Sequence, residues 1–403
     1  MSSFSNVFLV VIDALRFDRL GCYGYQRETS PAIDKIAAEG ITFERAMSQS
    51  SWTKSAVASL LTSTYPEIHG VKSIEDRLSA DEIFLPAILK KFGYVTGCVQ
   101  TNPFLSSKSG FNQDFDFYLE LFDNAPGVYK PRINDAVNAV FDWLDQFITH
   151  PFFLYLHVLD THNPYAPPKE FNPFGNAEQD LFDGEVKFVD YYIGLIREYL
   201  AVKGLTEKTL FIITSDHGEE FGDHGHRYHA KHLYQEVLHV PLIISSPALI
   251  PSGISIPSQV RSIDLVPTIL EVLGIPPLAS HQGESLIPLL KLALAPDRPV
   301  LSQIGGDHPS GGKSELISFN TGDYKIIWNK QTDAKELYHL ATDPHEKNNI
   351  ADEKKEACDD LQTRMKKIIQ PPEEAPFHYK PSPAKVCVDD DLLNRLRGLG
   401  YID

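Results

Sequence analysis

The 403-residue sequence is poor in cysteine, with four, and poor in methionine and tryptophan, with three each. Cys22, Cys98, Cys358 and Cys387 are scattered and show no metal-ligand spacing. A disulfide scaffold is therefore not implied, and a reducing cytoplasm is the expected setting. No run of 18 uncharged apolar residues occurs, so no membrane-spanning helix is expected. The first apolar run, residues 7–12, is too short for a leader and meets Asp13 instead of a cleavage site. Basic residues are in deficit: 37 Lys and Arg against 54 Asp and Glu leave a net charge of −17. That argues against a nucleic-acid partner. No internal repeat is visible.

What remains is an ordinary globular composition, 42% apolar and 23% charged. Continuous β-branched and aromatic runs predict strands over 7–12, 95–100, 152–158, 209–214 and 241–244. Between them, apolar periodicity predicts helices over 31–39, 54–62, 85–92, 133–147, 182–202 and 262–273. Ser30 reads as the N-cap of the first, with Pro31 in its first turn and Gly40 past its end. Buried strands alternating with helices predict an α/β fold with a mostly parallel sheet covered on both faces. After Asp297 the pattern changes. Short alternating runs at 301–303, 316–319 and 324–328 and a charged helix over 352–369 predict a small antiparallel subdomain. The boundaries are 1–297 for the core and 298–403 for the subdomain. Residues 370–385, with five prolines, read as an extended surface segment.

In a parallel sheet, chemistry collects at the carboxyl ends of the strands. Asp13 follows the first predicted strand, Asp160 and His162 follow 152–158, and Asp216 and His217 follow 209–214. Three strand-end acids with imidazoles predict a divalent-metal crevice. Six of the 15 histidines lie between His217 and His239. His229 is a site candidate, whereas His224, His226 and His239 read as loop residues. Thr53 stands where a helix begins. It reads either as an N-cap or as a nucleophile beside the metal, because threonine needs a metal to ionise at neutral pH.

Ile12-Asp13-Ala14-Leu15-Arg16, Leu60-Leu61-Thr62 with Tyr65-Pro66, Asp160-Thr161-His162-Asn163-Pro164-Tyr165, Ser215-Asp216-His217-Gly218-Glu219 and Val240-Pro241-Leu242 occur in this order. With Glu336-Leu337-Tyr338 near the C-terminus, they resemble the sulfatase family of the alkaline phosphatase superfamily. The resemblance implies a three-layer α/β core with a small C-terminal subdomain. It implies one metal on Asp13, Thr53, Asp216 and His217. It places His162 in the pocket, lets His229 and Lys231 compete for a basic position, and puts Thr101 and Asn102 where relatives bind substrate. Arg16 is a further candidate for substrate charge, with pairing to Asp18 as the alternative.

Two departures bear on chemistry. Thr53 occupies the Cys or Ser position that sulfatases convert to formylglycine, with Ser55 and Val57 at the Pro and Arg positions of that motif. Ala14 replaces a second Asp, and His217 replaces an Asn. These changes favour Zn²⁺ or Mn²⁺, with Ca²⁺ as the alternative. A threonyl ester lacks the exit open to a formylglycine hydrate, so water or another acceptor must break it. A second metal on Asp160, His162 and His229 would assist. The expectation is a hydrolase of a small anionic ester, a phosphodiester or phosphonate monoester, with Thr53 as nucleophile. A formylglycine-independent sulfuric ester hydrolase, a phosphoryl-type transferase and a catalytically silent metal-binding relative are the alternatives. A homo-oligomer is compatible with the sequence.

Overall fold

Asn6–Ile12 is buried along its whole length, which only a central strand covered on both faces allows. The computed structural model describes residues 6–121, 130–248, 250–291, 296–305, 315–369, 384–386, 388 and 390–398. In it this strand pairs in parallel with Phe152–Val158 on one side and Thr209–Thr214 on the other. Val95–Gln100 and then Phe117–Glu120 extend the parallel set. On the opposite flank Leu242–Ser245 runs antiparallel to Thr209–Thr214 and to Ile41–Met47. His239–Val240 and Ile254–Arg261 complete a nine-stranded sheet.

Side chains alternate across the sheet. Val7, Leu9 and Val11 pack under the helices Thr53–Thr62, Leu85–Lys91 and Leu265–Val272. Phe8, Val10 and Ile12 face Pro31–Ala38, Ile133–Phe147 and Glu178–Val202. The result is the predicted mostly parallel sheet between two helical layers. The five predicted strands are present with small end shifts. Sequence reading missed four strands of this sheet: Phe117–Glu120 at one end, and Ile41–Met47, His239–Val240 and Ile254–Arg261 on the opposite flank. Ile41–Met47 exposes Glu44, and Ile254–Arg261 exposes Pro257 and carries a register shift between Ile256 and Gln259. An exposed charge or a proline breaks the apolar run that marks a central strand.

Pro31 opens its helix as expected, but Ser30 makes no cap bond there. The Asp190 carboxylate takes the Ala32 and Ile33 N–H groups instead, at 3.0 and 2.7 Å. Val300–Ile304, Leu316–Asn320, Tyr324–Asn329 and Lys335–His339 form a four-stranded antiparallel sheet, with the helix Lys355–Ile369 packed against it. Most of the Pro-rich 370–385 segment, and Cys387, lie outside the described residues.

Candidate active site

Register places the chemistry. Ile12 is opposite Val158, Val11 opposite Thr214, and Gln100 opposite His157, so four neighbouring strands end at one edge. Asp13, Asn102, Asp216 and His217 follow directly, and His157 is the penultimate residue of its strand. The chain leaves the first strand through Ala14 in the left-handed region, φ 57°, a conformation costing an alanine about 1–2 kcal/mol. That turn aims the Ala14 N–H at Asp216 Oδ1, 3.2 Å away, and the Leu15 N–H at Ser215 Oγ, 3.0 Å away.

Asp13, Asp216 and His217 are buried, and one ligand atom from each lies within 4.8 Å of the others. On Asp13, Oδ2 accepts from Asn102 Nδ2 at 2.6 Å and meets His157 Nε2 at 3.1 Å. The His157 ring is held from behind by Tyr155 Oη, 2.9 Å from Nδ1. On Asp216, Oδ1 is taken by backbone donors. Asp13 Oδ1 and Asp216 Oδ2 are buried without a hydrogen-bond partner. His217 Nδ1 lies 2.9 Å from the Gly218 carbonyl, an arrangement that puts the proton there and turns the Nε2 lone pair to the same point. Nε2 is 3.8 Å from Asp13 Oδ1 and 3.5 Å from Asp216 Oδ2. Two orphaned carboxylate oxygens facing an imidazole nitrogen fit a divalent cation. Electrostatics agree. Burial works against ionising Asp13, but the His157 hydrogen bond and the nearby His162 and His217 outweigh it and hold its carboxyl far below the usual range. Burial, reinforced by the Asp13 charge, pushes Asp216 up.

Thr53 is the first residue of its helix, after Trp52 in extended conformation, and every residue of that helix is buried. The cap position therefore falls to Trp52. Thr53 Oγ1 lies 3.1 Å from His217 Nε2 and 3.4 Å from Asp13 Oδ2, inside the donor cluster.

Behind it stand two more imidazoles. The His229 ring is 4.3 Å from that of His217 and 4.8 Å from that of His162, centroid to centroid. His229 Nδ1 meets Glu219 Oε1 at 2.9 Å, and Tyr165 donates to the other Glu219 oxygen at 2.8 Å. Burial disfavours the charged imidazole, but Glu219 outweighs it and raises the His229 pKa. Burial, and next the His229 charge, hold His162 well below the ordinary imidazole value. The turn bearing His162 wraps around the Lys130 ammonium, which donates to the carbonyls of Asp160, His162 and Pro164.

Several sequence candidates are placed elsewhere. Asp160 reaches no metal position: Arg132 Nε takes one oxygen at 3.2 Å and the Ile133 N–H takes the other at 2.9 Å, so it caps a helix. The second-metal set of Asp160, His162 and His229 does not converge for this reason. Lys231 is exposed, its ammonium 3.5 Å from the Arg227 carbonyl, so it does not compete with His229. Arg16 binds both oxygens of Asp18, at 2.9 and 2.7 Å, and Asp223 at 2.9 Å, leaving no fork for substrate. Thr101 turns its hydroxyl to the His157 carbonyl at 3.3 Å; Asn102 is the one of that pair in the cluster. Sequence reading passed over three contributors. His157 was hidden within an apolar strand, though its position two residues before the strand-end acids' level was a signal. Glu219 and Lys130 act through residues distant in sequence, which no spacing reveals.

Comparison with known proteins gives the family and the fold. The family model "Sulfatase" matches residues 5–275, and a model described as "N-sulphoglucosamine sulphohydrolase, C-terminal" matches residues 222–374. The arylsulfatase of Clostridium perfringens is 24% identical, covering 92% of this chain and 95% of that protein. Mouse arylsulfatase K is 31% identical over 70% of this chain and 50% of its own length. The low-salt glycan biosynthesis sulfotransferase Agl7 of Haloferax volcanii is 27% identical, and the match covers 68% of this chain and 62% of Agl7. Among solved structures, BT4656 in complex with its substrate D-glucosamine-2-N,6-O-disulfate superimposes with a TM-score of 0.76 at 19% identity, covering 91% and 97% of the two chains. The phosphonate monoester hydrolase of Agrobacterium radiobacter gives 0.76 at 19%, covering 90% and 95%. These superpositions establish the fold. Enzymes of this family are metal-dependent, usually with Ca²⁺ or Mg²⁺. No described helix is long and apolar enough to cross a membrane. The chain belongs to the sulfatase family and is an ester hydrolase of it.

Proposed function

We propose that this hydrolase cleaves a small phosphodiester or phosphonate monoester through Thr53. The observation that carries the reading is the Thr53 hydroxyl lying within the donor cluster, 3.1 Å from His217 Nε2, where a formylglycine precursor would have to be Cys or Ser. Asp13, Asp216, His217 and Thr53 would hold a divalent cation, which supplies Lewis acidity that lowers the pKa of the hydroxyl. The mixture of imidazole and carboxylate, with a methyl group at Ala14 in place of a further carboxylate, favours Zn²⁺ or Mn²⁺ over the Ca²⁺ or Mg²⁺ usual in the family.

The chain's own residues do the rest. Asn102 and His157 fix the Asp13 carboxylate, and Gly218 fixes the His217 ring. The Thr53 hydroxyl would release its proton to solvent, and its oxygen forms the new bond to phosphorus as the bond to the leaving oxygen breaks. His229, pinned at Nδ1 by Glu219, gives that oxygen a proton from Nε2. Water then attacks phosphorus, giving one proton to His229 and its oxygen to the product, as the Thr53 oxygen leaves and takes a proton back from solvent.

A rate comparison tests this. Protein reloaded with Mn²⁺ or Zn²⁺ is assayed on p-nitrophenyl sulfate, p-nitrophenyl phosphate, bis-p-nitrophenyl phosphate and a phosphonate monoester, beside Thr53→Ala. Turnover of diester or phosphonate that disappears in Thr53→Ala is the expected result. Sulfate turnover that survives loss of Thr53 contradicts it.

The match to Agl7, a sulfotransferase by name, supports a second reading, in which an acceptor alcohol in place of water takes the group from Thr53. Product that partitions toward an added alcohol, at constant total release of p-nitrophenol, would favour the transferase.

A further inference from the structure

The segment from His217 to His239 carries more imidazoles and carboxylates than the crevice uses. Glu220, His232 and Glu236 each offer a donor atom within 4.8 Å of the other two. Their exposures are 1, 6 and 8%. The local fold builds this meeting point. A two-stranded hairpin, Glu220–Phe221 against Arg227–Tyr228, folds the segment back on itself. The Ala230 N–H is tied to the Ser51 carbonyl at 2.9 Å, and Glu236 projects from the short helix Gln235–Leu238.

Within the cluster the donor atoms are sorted. Glu220 Oε1 accepts the His224 and His226 N–H groups at 2.7 and 2.8 Å. Glu220 Oε2 and His232 Nε2 are pressed together as a buried imidazole–carboxylate pair, both atoms shielded from water. His224 Nδ1 lies 2.6 Å from Glu236 Oε1, and the His226 ring stacks on His232 at 5.5 Å. Two carboxylates withdrawn from water need positive charge nearby. One imidazole and two carboxylates are a donor set of the kind zinc takes.

We propose that Glu220, His232 and Glu236 bind a second divalent cation of the Zn²⁺ type, separate from the crevice and structural in role. Its position gives it a task. Glu220 stands three residues after His217, and His232 three residues after His229. A cation between them clamps the two stretches of chain that deliver the crevice's histidines, and closes the loop between them. It touches no reacting atom. It is also distinct from the catalytic second metal expected on Asp160, His162 and His229, which the Arg132 pairing of Asp160 precludes.

The test is zinc content of the full chain by mass spectrometry after loading and gel filtration. Glu220→Gln with His232→Gln should lose one equivalent relative to the parent. Asp216→Asn reads the crevice separately, so failure of one site is distinguishable from failure of the other. Zinc content unchanged in Glu220→Gln with His232→Gln overturns the proposal and leaves two buried imidazole–carboxylate pairs. Should that variant not fold, the Asp216→Asn protein answers instead. Its melting temperature should climb with added Zn²⁺ if the clamp exists. A flat response overturns it.

Discussion

Asp13 and Asp160 invite comparison. Each lies just past a central parallel strand, each is fully buried, and the two strands are neighbours in register. Yet Asp160 is fully engaged: Arg132 and the start of a helix take both its oxygens. Asp13 has three partners on one oxygen and leaves the other facing Asp216 and His217 with no hydrogen-bond partner. The same residue type at the same kind of position thus builds architecture in one case and a cation site in the other. The surrounding donors decide. Where a guanidinium and a backbone N–H converge, the charge is matched. Where a second carboxylate and an imidazole lone pair converge, positive charge is still wanted.

The largest effects should fall on the open side. Asp216→Asn and Thr53→Ala should each lower turnover of the best ester by about 10³-fold or more, by the logic of residues acting as a unit. Asp216→Asn should also lose metal, whereas Thr53→Ala should keep its fold by circular dichroism. Equal, small losses in both would place the chemistry elsewhere.

Asp160→Asn should do the reverse. Breaking a buried pair of this kind costs about 3 kcal/mol of stability, read as a lower urea midpoint, with crevice metal content unchanged. An Asp160→Asn protein that loses metal but not stability would erase the contrast with Asp13.

A step smaller is His229→Gln, with an expected loss of about 10²-fold in kcat. Glu219→Gln should cost about tenfold, because it removes only the partner that orients the ring. A Glu219→Gln loss equal to that of His229→Gln would make Glu219 a reacting group. Smallest of all, Lys231→Ala should change kcat/KM by less than about twofold, because its ammonium is exposed on the Arg227 carbonyl. A large effect would restore it as the basic pocket residue.

The comparison also marks what the sequence could reveal. Strand ends were legible because continuous apolar runs stop at Asp13, Asp160 and Ser215-Asp216-His217. Sequence could therefore bring all these acids to one edge, and could not say which of them is matched. Arg132 lies 28 residues from Asp160 and Glu219 lies 54 from Tyr165, and such pairings arise only from packing. Lys231, two residues past His229, lies outside the site for a related reason. The Ala230 N–H tie to Ser51 turns His229 inward, with Ala230 itself at φ 62°, and leaves the next side chain in water. The small antiparallel sheet was visible in its alternating runs, whereas Ile254–Arg261 was not, because Pro257 interrupts it.

The central claim is that Thr53 forms a covalent ester with the transferred group, and stereochemistry at phosphorus reads it most directly. A chiral phosphorothioate diester is hydrolysed by the metal-loaded enzyme in ¹⁸O-water, and the configuration of the product is determined. Two successive in-line displacements, first by Thr53 and then by water, predict retention. Inversion would mean a single attack by water and would contradict the account.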